Sequence, residues 1–503
     1  MNPLLQYKPT ILPLFIAGVL ACFGLLLRAQ AVVPPPDGGY PNFNTAEGQN
    51  ALFSLTSGTA NTALGWFSLK SVTMGGFNTG VGAGTLVLNM GEANTATGTA
   101  ALLLNTTGQR NTANGTAALV NNSAGEDNTA VGAFALNNNT VTGNTAIGSS
   151  ALLNNTTGGT LTNSGGLDVG PNVAIGWQAL ESNITTGANT AVGYQALHSF
   201  TGSPSFADLG ASTAVGFQAL ANVTESALNS GFGYQALFNN TTGSANTATG
   251  CRALSSNIMG SYNVANGFDA LYNNVSGSDN TAIGAGVLFD NSMGANNTGI
   301  GYLALTNATG TNNTALGANA GSAVMTASDV ICIGANVAGE DSNASCYIGS
   351  IFGHGLPSGS SVYINANGKL GTSISSRRFK EEIRPMDRAS EALFSLKPVS
   401  FRYKKEIDPA SRPQFGLVAE DVEKVDPDLV VRDKGGNVYS VRYDQVNAML
   451  LNEFLKEHRK NQEQQANIER QQKQIAALTT GLQKVRAQLE LRKSRPQTVS
   501  NAP

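Results

Sequence analysis

A nine-residue pattern of polar, small and apolar positions, Asn-Thr-Ala-x-Gly-x-x-Ala-Leu, recurs fifteen times in the first two thirds of the chain. All but two of the steps between copies are 16 or 17 residues long, and the exceptions are 28 and 23 residues. A period this short predicts one coil of a β-solenoid per copy, because repeats built from helix pairs need more than about thirty residues. The copies begin at Asn61, Asn78, Asn94, Asn111, Asn128, Asn144, Asn172, Asn189, Ser212, Asn229, Asn246, Asn263, Asn280, Asn297 and Asn313.

The residue types indicate how each coil is built. Gly in every copy and Asn or Thr in most copies disfavour a helix, whereas Thr-Ala-Val/Ile suits a short strand that turns a small side chain inward. Glycines such as Gly132 and Gly193 permit a turn or a close backbone approach. The Ala-Leu pair, as in Ala135-Leu136, supplies the apolar plug on which neighbouring coils stack. Stacked asparagines can form hydrogen-bond ladders along the axis.

The two long steps are insertions, at Asn154–Pro171 and around Ser199–Ala211. We expect exposed loops there, which are the first places to look for ligand contacts, although a neutral insertion is the more frequent case. A coil of about 17 residues with one Leu and a few Ala buries little apolar surface. A stable rod is therefore expected to need partner chains, and three identical rolls around an axis would supply them.

The N-terminus has the pattern of an export signal. Lys8 precedes an apolar run, residues 11–27, which is followed by Ala29-Gln30-Ala31 and a proline-rich stretch. This predicts a secretory signal peptide cut after Ala31. An uncleaved membrane anchor is the alternative, because the run is 17 residues long. A lipoprotein reading at Cys22 is less favoured, since the apolar run continues beyond that residue.

Beyond residue 374 the periodicity changes to that of a small mixed domain. Pro398–Tyr403 alternates as a strand, and Phe415–Ala419 and Tyr439–Tyr443 predict two further short strands. Glu420–Lys424 predicts the start of a helix.

A long helix with a seven-residue repeat follows. One seam holds Phe454, Ile468, Ile475, Leu482 and Leu489, and the second holds Leu450, Leu478 and Val485. Polar residues at Asn461, Gln464 and Gln471 interrupt the seams and can fix register and chain number. Mixed Ile and Leu seams favour more than two strands, so we expect a trimeric coiled coil. A single helix packed on its own domain is the alternative.

Charge separates the chain into two parts. Residues 1–374 carry 6 basic and 15 acidic side chains, whereas residues 375–503 carry 24 basic and 18 acidic ones. The long, acidic and charge-poor first part argues against a single conventional globular enzyme and against a nucleic-acid binder. Disorder is also disfavoured, because 41% of the residues are hydrophobic and recur regularly.

Cysteine and histidine usage predicts no metal or redox site and no cofactor. Apart from Cys22 the cysteines are Cys251, Cys332 and Cys346, without a Cys-x-x-Cys spacing. Cys332 and Cys346 either pair after export or stay as two small side chains. The three histidines lie in the repeat, at the boundary and in the last helix, which disfavours a Ser-His-Asp triad.

The repeat, over about residues 50–340, resembles the left-handed β-roll repeats in heads of trimeric autotransporter adhesins and in phage-tail-fibre-like bacterial proteins. That resemblance implies a repetitive trimeric β-rod and specifies no ligand.

Four separated motifs after residue 374 resemble the endosialidase-type intramolecular chaperone domain of phage tail spikes and fibres and of some membrane-bound transcription factors. The resemblance implies a domain that trimerises, templates the preceding β-structure and then cuts itself off, using a Ser and a Lys five residues later. Ser375 and Lys380 have that spacing, so the cut would fall between Ile374 and Ser375; Ser376 stands where the family often has Asp. The motifs are residues 375–383 (SSRRFKEEI), 396–403 (LKPVSFRY), 415–422 (FGLVAEDV) and 441–446 (VRYDQV).

This assignment is chemically reasonable. A serine hydroxyl needs a base to become a nucleophile, and a neutral lysine can be that base if burial lowers its pKa. A spacing of five does not put both side chains on one helix face, so a turn or a strand must join them. The alternative is that Arg377, Arg378 and Lys380 form an ordinary solvated basic cluster and the domain stays attached.

The predicted fold is mainly β: a trimeric β-roll or β-solenoid rod of about 17-residue repeats, then a small α/β chaperone domain ending in a trimeric coiled coil. The predicted segments are 1–31 (signal peptide or membrane anchor), 32–60 (linker and start of the rod), 61–340 (repeats), 341–374 (transition), 375–450 (chaperone and autoprotease), 451–492 (coiled-coil helix) and 493–503 (tail).

The leading functional hypothesis is an exported, homotrimeric fibre-like or adhesin-like structural protein at the cell surface or outside the cell, matured by self-cleavage. A surface glycan or host receptor is a candidate partner, and a membrane tether is possible through the N-terminal segment. The alternatives are a polysaccharide-binding or polysaccharide-degrading spike and a non-cleaving trimerisation clamp. An endoglycosidase needs paired acids on one face, and the acids of the repeats fall mostly in linkers, out of phase.

Overall fold

The computed structural model describes residues 40–157, 170–202, 211–353 and 358–493. The chain divides into two compact units, Met1–His354 and Gly355–Pro503, and each is described by itself. The predicted signal peptide or anchor, Cys22 and the tail beyond residue 493 lie outside the described residues. No helix in the described part of the chain is long and apolar enough to cross a membrane.

The first unit is a β-solenoid with one parallel sheet of eighteen three-residue strands, each paired with the strand of the next coil. This confirms the predicted mainly β fold and the predicted coil repeat. The strands are β1 Thr45–Glu47, β2 Thr62–Leu64, β3 Thr79–Val81, β4 Thr95–Thr97, β5 Thr112–Asn114, β6 Thr129–Val131, β7 Thr145–Ile147, β8 Val173–Ile175, β9 Thr190–Val192, β10 Thr213–Val215, β11 Ser230–Phe232, β12 Thr247–Thr249, β13 Val264–Asn266, β14 Thr281–Ile283, β15 Thr298–Ile300, β16 Thr314–Leu316, β17 Ile331–Ile333 and β18 Cys346–Ile348.

Each coil packs its small and apolar residues inside. From β2 to β17 the middle residue of the strand is buried, and it is Ala in most coils. Its two neighbours point outward, as the two-residue period of a strand requires. The Ala-Leu pair that follows is also buried, as at Ala135 and Leu136, and forms the second wall of the core. The motif residues therefore take the positions that the sequence predicts.

The glycine after each strand is required by a close backbone approach. Gly193 has φ +139°, and a Cβ there would lie 2.2 Å from the carbonyl oxygen of Gly216 in the next coil. In the coils of β1–β15 the motif leucine also has positive φ, 50° at Leu136, although this conformation is unfavourable for a residue with a Cβ. Hydrogen bonds to the next coil hold it there, such as Leu136 N–H to the carbonyl of Ala151 at 3.0 Å.

Two ladders of buried asparagines run through the coil interior. In the first ladder, the motif asparagines, Asn128 accepts the N–H of Asn144 at 2.9 Å and donates to the carbonyl of Val141 at 2.8 Å. The second ladder comes from the linkers, where Asn105 donates to Asn89 at 2.6 Å. It continues through Asn122, Asn139, Asn155 and Asn183, and again through Asn240, Asn257, Asn274 and Asn291. The predicted hydrogen-bond ladders are thus present.

The sheet extends beyond the fifteen copies at both ends. At the start, β1 belongs to a sixteenth copy, residues 44–52 (NTAEGQNAL), which has the full motif. At the end, β17 and β18 follow Val330 and Ser345 in place of the motif asparagine.

Near the end of the rod, the carboxylate of Asp341 takes the place that a backbone carbonyl of the next coil holds elsewhere, such as that of Ile258. This carboxylate accepts the backbone N–H groups of residues 325–327 at 2.7–2.9 Å, and also the hydroxyl of Thr326. These hydrogen bonds, that from Ala327 foremost, lower the pKa of Asp341 to about 2.

The coil stack continues across both insertions, because β7 pairs with β8 and β9 pairs with β10. The loop residues 158–169 and 203–210, where ligand contacts were to be sought, lie outside the described residues.

Cys332 and Cys346 do not form a disulfide. In the β17–β18 register Cys346 faces Ile331 rather than Cys332, so the two thiols lie on opposite faces of the sheet. Cys332 is buried and Cys346 is exposed, and both are free. Burial raises the pKa of the Cys332 thiol.

The second unit is a small α/β domain with a long terminal helix. Its strands form three antiparallel pairs: β19 Val362–Ile364 with β20 Leu370–Thr372, β21 Val399–Phe401 with β22 Gln414–Gly416, and β23 Val430–Arg432 with β24 Val438–Val441. The helices are α1 Ala419–Val425 and α2 Tyr443–Lys493, with 3-10 helices at Arg377–Phe379, Asp387–Ser395 and Pro427–Leu429. Its core holds Val422, Leu429, Val430, Val441 and Met449.

The predicted strands and helix of this domain are all present within a few residues of their expected bounds. Helix α2 is a continuous helix of 51 residues, and Met449 is its one buried residue. Seam residues are largely exposed, with Leu478 at 68% and Leu482 at 70%. The coiled coil itself stays a prediction.

Candidate functional site

The candidate site lies at the start of the second unit, directly after the β19–β20 hairpin. The hairpin ends at Thr372, and Ser373 and Ile374 connect it to Ser375 without regular structure. Ile374 is 61% exposed, so the peptide bond between Ile374 and Ser375 lies in an accessible segment.

A single 3-10 turn, Arg377–Phe379, joins Ser375 to Lys380. The N–H of Phe379 donates to the carbonyl of Ser376 at 3.0 Å, and that of Lys380 donates to Arg377 at 3.1 Å. The turn reverses the chain, so that Lys380 Nζ donates to Ser375 Oγ at 3.0 Å. The pair selected from the sequence is therefore in contact, through the kind of turn that a spacing of five requires.

Both members of this pair are exposed, as are the other residues of the turn. The guanidinium of Arg378 lies 4.5 Å from the centre of the Phe379 ring and thus stacks within the turn. In a single chain the serine and the lysine are therefore open to solvent. The alternative interpretation, an ordinary solvated basic cluster, predicts the same exposure.

The segment after the turn is held to helix α2 by a partly buried polar cluster. Ser390, in the 3-10 helix Asp387–Ser395, is fully buried, and its hydroxyl contacts Glu453, Asn452 and Lys456. Lys456 and Ser390 together lower the pKa of Glu453, with Lys456 the larger cause. Ser390 and Glu453 are 63 residues apart, so no local sequence signal could have found this cluster.

A cleft of about 760 Å³ opens beside this cluster, along the same helix. It is lined by Leu450, Leu451 and Phe454 of α2 and by Phe394 of the 3-10 helix, which is 76% exposed. The apolar seam of α2 thus begins next to the 3-10 helix Asp387–Ser395.

The described histidines do not form a hydrolase triad. His198 contacts Glu181 at 2.9 Å on the rod, and His458 contacts Gln462 on α2. His354 lies outside the described residues. Among the described residues, no three His, Cys, Asp or Glu side chains are grouped so as to hold a metal ion.

Several acidic residues of the rod pair with bases on neighbouring coils. Arg110 contacts Glu126 and Asp127 and lowers the pKa of Asp127. Arg252 contacts Asp269 at 2.6 Å. These acids serve coil stacking, as the structural interpretation of the linkers predicts, while Asp168 and Asp208 lie outside the described residues.

An aromatic column runs along four consecutive coils, Trp177, Tyr194, Phe217 and Tyr234. The ring centroids are 4.8–5.3 Å apart with interplanar angles of 7–22°. The rings therefore cover one another's faces and present edges to solvent. Sugar rings stack on aromatic faces, so this column is not a ready platform for a glycan.

Comparison with known proteins identifies the C-terminal domain. Residues 375–431 match the family described as Chaperone of endosialidase, and the match begins at Ser375. No curated protein and no solved structure matches the chain. A β-solenoid followed by a chaperone-of-endosialidase domain fits a tail-fibre-like structural protein.

Proposed function

We propose that this chain is an exported, homotrimeric fibre-like protein whose C-terminal domain directs assembly of the rod and then cuts itself off between Ile374 and Ser375. The observation that carries the proposal is the Ser375–Lys380 contact of 3.0 Å at the first residues of the matched domain. The contact length lies within the range of about 2.6–3.2 Å that proton transfer between side chains requires.

In the proposed reaction the neutral amine of Lys380 takes the proton of the Ser375 hydroxyl. The freed Oγ bonds to the carbonyl carbon of Ile374. The bond from that carbon to the Ser375 nitrogen then breaks, and the nitrogen leaves as an amine after taking up the proton. One water molecule hydrolyses the ester, which restores the hydroxyl of Ser375 and leaves a carboxylate on Ile374. The reaction runs once per chain and needs no cofactor.

Assembly supplies what one chain lacks. A lysine acts as a base only when it is neutral, and removal from water favours that form. Because Ser375 and Lys380 are exposed in a single chain, we infer that partner chains cover them. The exposed seam of α2 and the exposed Phe394 beside it support this inference, since they give the domain an apolar surface through which chains would join.

The construction of the rod supports the templating role. Strands of three residues pair only with neighbouring coils, and each coil from β1 to β15 places a leucine at positive φ. An isolated coil of this kind gains little stabilising free energy until a neighbouring coil has folded against it. A template that holds the ends of three chains together would therefore assist folding of the first coils.

A permanent trimerisation clamp is the second candidate function, and the exposure of the Ser375–Lys380 pair favours it. In that case the basic turn is a solvated surface feature and the domain stays attached. Neither a glycan or receptor ligand nor a membrane tether is part of the proposal, because the described residues offer no built site for them.

The templating role is tested by expressing residues 32–503 beside a rod that ends at Ile374. The account predicts that the truncated rod aggregates, whereas the rod produced by the longer chain is soluble and sediments as a trimer. If the truncated rod folds and sediments like the released one, the domain is not a chaperone for it.

A further inference from the structure

The outer face of the solenoid sheet is rich in apolar residues and nearly without charge. Each strand turns its first and third residues outward, and these thirty-six positions include Glu47 in β1 as their one charged residue. The first position is mostly Thr, and the third is most often Val, Ile or Leu. This surface, the first and third residues of β1–β18, is called the strand face below.

Charged residues of the rod occupy other parts of the coil. The residue just before the motif asparagine or its replacement is Arg110, Asp127, Asp279 or Asp329 in four coils. The same coils carry uncharged residues on the strand face. Charge is sparse along the rod, and nearly all of it lies outside the strand face.

Apolar residues on the strand face are exposed in many coils, from the first part of the rod to the last. Exposed fractions include 40% for Ile147, 40% for Phe232, 41% for Ile283 and 48% for Leu316. Soluble chains rarely leave an apolar surface of this extent without a partner. With eighteen strands at a spacing of about 4.8 Å, the face is about 80 Å long.

We propose that the strand face is the surface through which three copies of this chain pack along the rod. This inference rests on the proposed trimer and adds the face that forms it. A partner that covers the whole face must be as long as the rod and share its axial repeat, and a second copy of the chain meets both conditions. In parallel copies the same coil of each chain lies at the same height along the rod axis, so identical residues face one another. An uncharged face allows this arrangement because it brings no like charges together.

Two neighbouring side chains provide a matched comparison. Phe232 lies on the strand face and is 40% exposed, whereas Leu228, four residues earlier, is 50% exposed and lies off it. Leu228 occupies the position that carries Arg110 or Asp127 in other coils. In a single chain, hydroxyl radicals would oxidise both residues readily.

Hydroxyl-radical footprinting on the intact trimer, with its mass checked by sedimentation, tests the inference. We expect Phe232 to be oxidised at least about fivefold more slowly than in denatured chain, because the centre of an interface excludes water, while Leu228 keeps most of its reactivity. If Phe232 is as reactive as Leu228 in the trimer, the strand face is not the interface, although the proposed trimer itself is still supported. A monomeric chain would overturn the proposed trimer and this inference together.

A pair of lysine variants in the full chain supplies the second measurement. Phe232→Lys brings three ammonium groups to one height in the interface, so the apparent trimer dissociation constant is expected to rise at least about tenfold. Leu228→Lys, the same change at a solvated position, is expected to leave it within about twofold. Equal effects of the two substitutions on the dissociation constant would contradict the assignment. It would also be contradicted if the trimer bound a flat crystalline polysaccharide and Phe232→Lys, but not Leu228→Lys, abolished that binding.

Discussion

Lys380 donates a hydrogen bond to the hydroxyl of Ser375 at 3.0 Å across one 3-10 turn. The two residues are separated by five positions, and the matched chaperone domain begins with the first of them. Contact, spacing and position together make this pair the centre of the functional account.

Replacement of Lys380 by arginine tests whether the site needs only the positive charge of this residue or its ability to accept a proton. Arginine keeps the positive charge but stays protonated, so Lys380→Arg should abolish release of the domain while leaving the trimer intact. Intact mass and sedimentation measure the two properties. As a control, Arg378→Ala removes a neighbouring charge that stacks on Phe379, and cleavage should persist. Normal cleavage by the arginine variant would exclude Lys380 as the base.

The asparagine ladders should dominate the polar contribution to rod stability. Asn128→Ala leaves the N–H of Asn144 without its buried acceptor and removes one of the two amide donors to the carbonyl of Val141, which should cost about 1–3 kcal/mol of unfolding free energy. Asn138→Ala removes a half-buried amide that bonds Asn154, and should cost less than about 1 kcal/mol. Thermal or denaturant unfolding of the released rod compares them, and equal losses would argue against the ladders as a special element.

The glycine column leaves no space for a side chain. Gly193→Ala would place its Cβ 2.2 Å from a carbonyl oxygen of the adjacent coil and keep a positive φ, so we expect about 2–4 kcal/mol of destabilisation. Gly170→Ala is the control, because a Cβ at Gly170 meets nothing within 4 Å. Unfolding curves should separate the two variants clearly. A tolerated Gly193→Ala would show that neighbouring coils are further apart than described.

Asp341 should make the end of the rod acid-sensitive. Its pKa of about 2 lies below the ordinary 3.8, so the carboxylate stabilises the linker at residues 325–327 above about pH 4, and that stabilisation is lost as the pH falls toward 2. Protection of the amides of residues 325–327 from hydrogen exchange, compared with an unfolded peptide at each pH, should fall in this window. Asp341→Asn should remove the pH dependence, and protection that is constant down to pH 2 would contradict the role.

Much of the rod structure can be predicted from its sequence, because the structure restricts each motif position to a few residue types. Small Ala fits inside a three-residue strand, and Gly fits where Gly193 meets Gly216. The copy at residues 44–52 carries the full motif, so the sequence also predicts that coil. The sequence motif does not predict the coils of β17 and β18, because Val330 and Ser345 replace the asparagine. Only the strand pairing identifies these two coils.

Other features resist prediction because they contradict local preferences or depend on distant contacts. Leucine rarely adopts positive φ, yet Leu136 does so because inter-coil hydrogen bonds hold it. Ser390 meets Glu453 only through the fold. For the candidate site, the spacing indicated a turn, and the turn is present. A lysine acts as a base only where burial favours its neutral form, whereas Lys380 is exposed in a single chain.

The most direct test of the central claim is the intact mass of purified residues 32–503 with Ser375→Ala and Ser376→Ala beside it. The account predicts that the unchanged chain and Ser376→Ala yield two products, one ending at Ile374 and one beginning at Ser375, while Ser375→Ala stays whole. An unchanged chain that stays whole as a trimer would contradict self-cleavage and leave the domain as a permanent clamp. Cleavage that persists in Ser375→Ala would exclude Ser375 as the nucleophile.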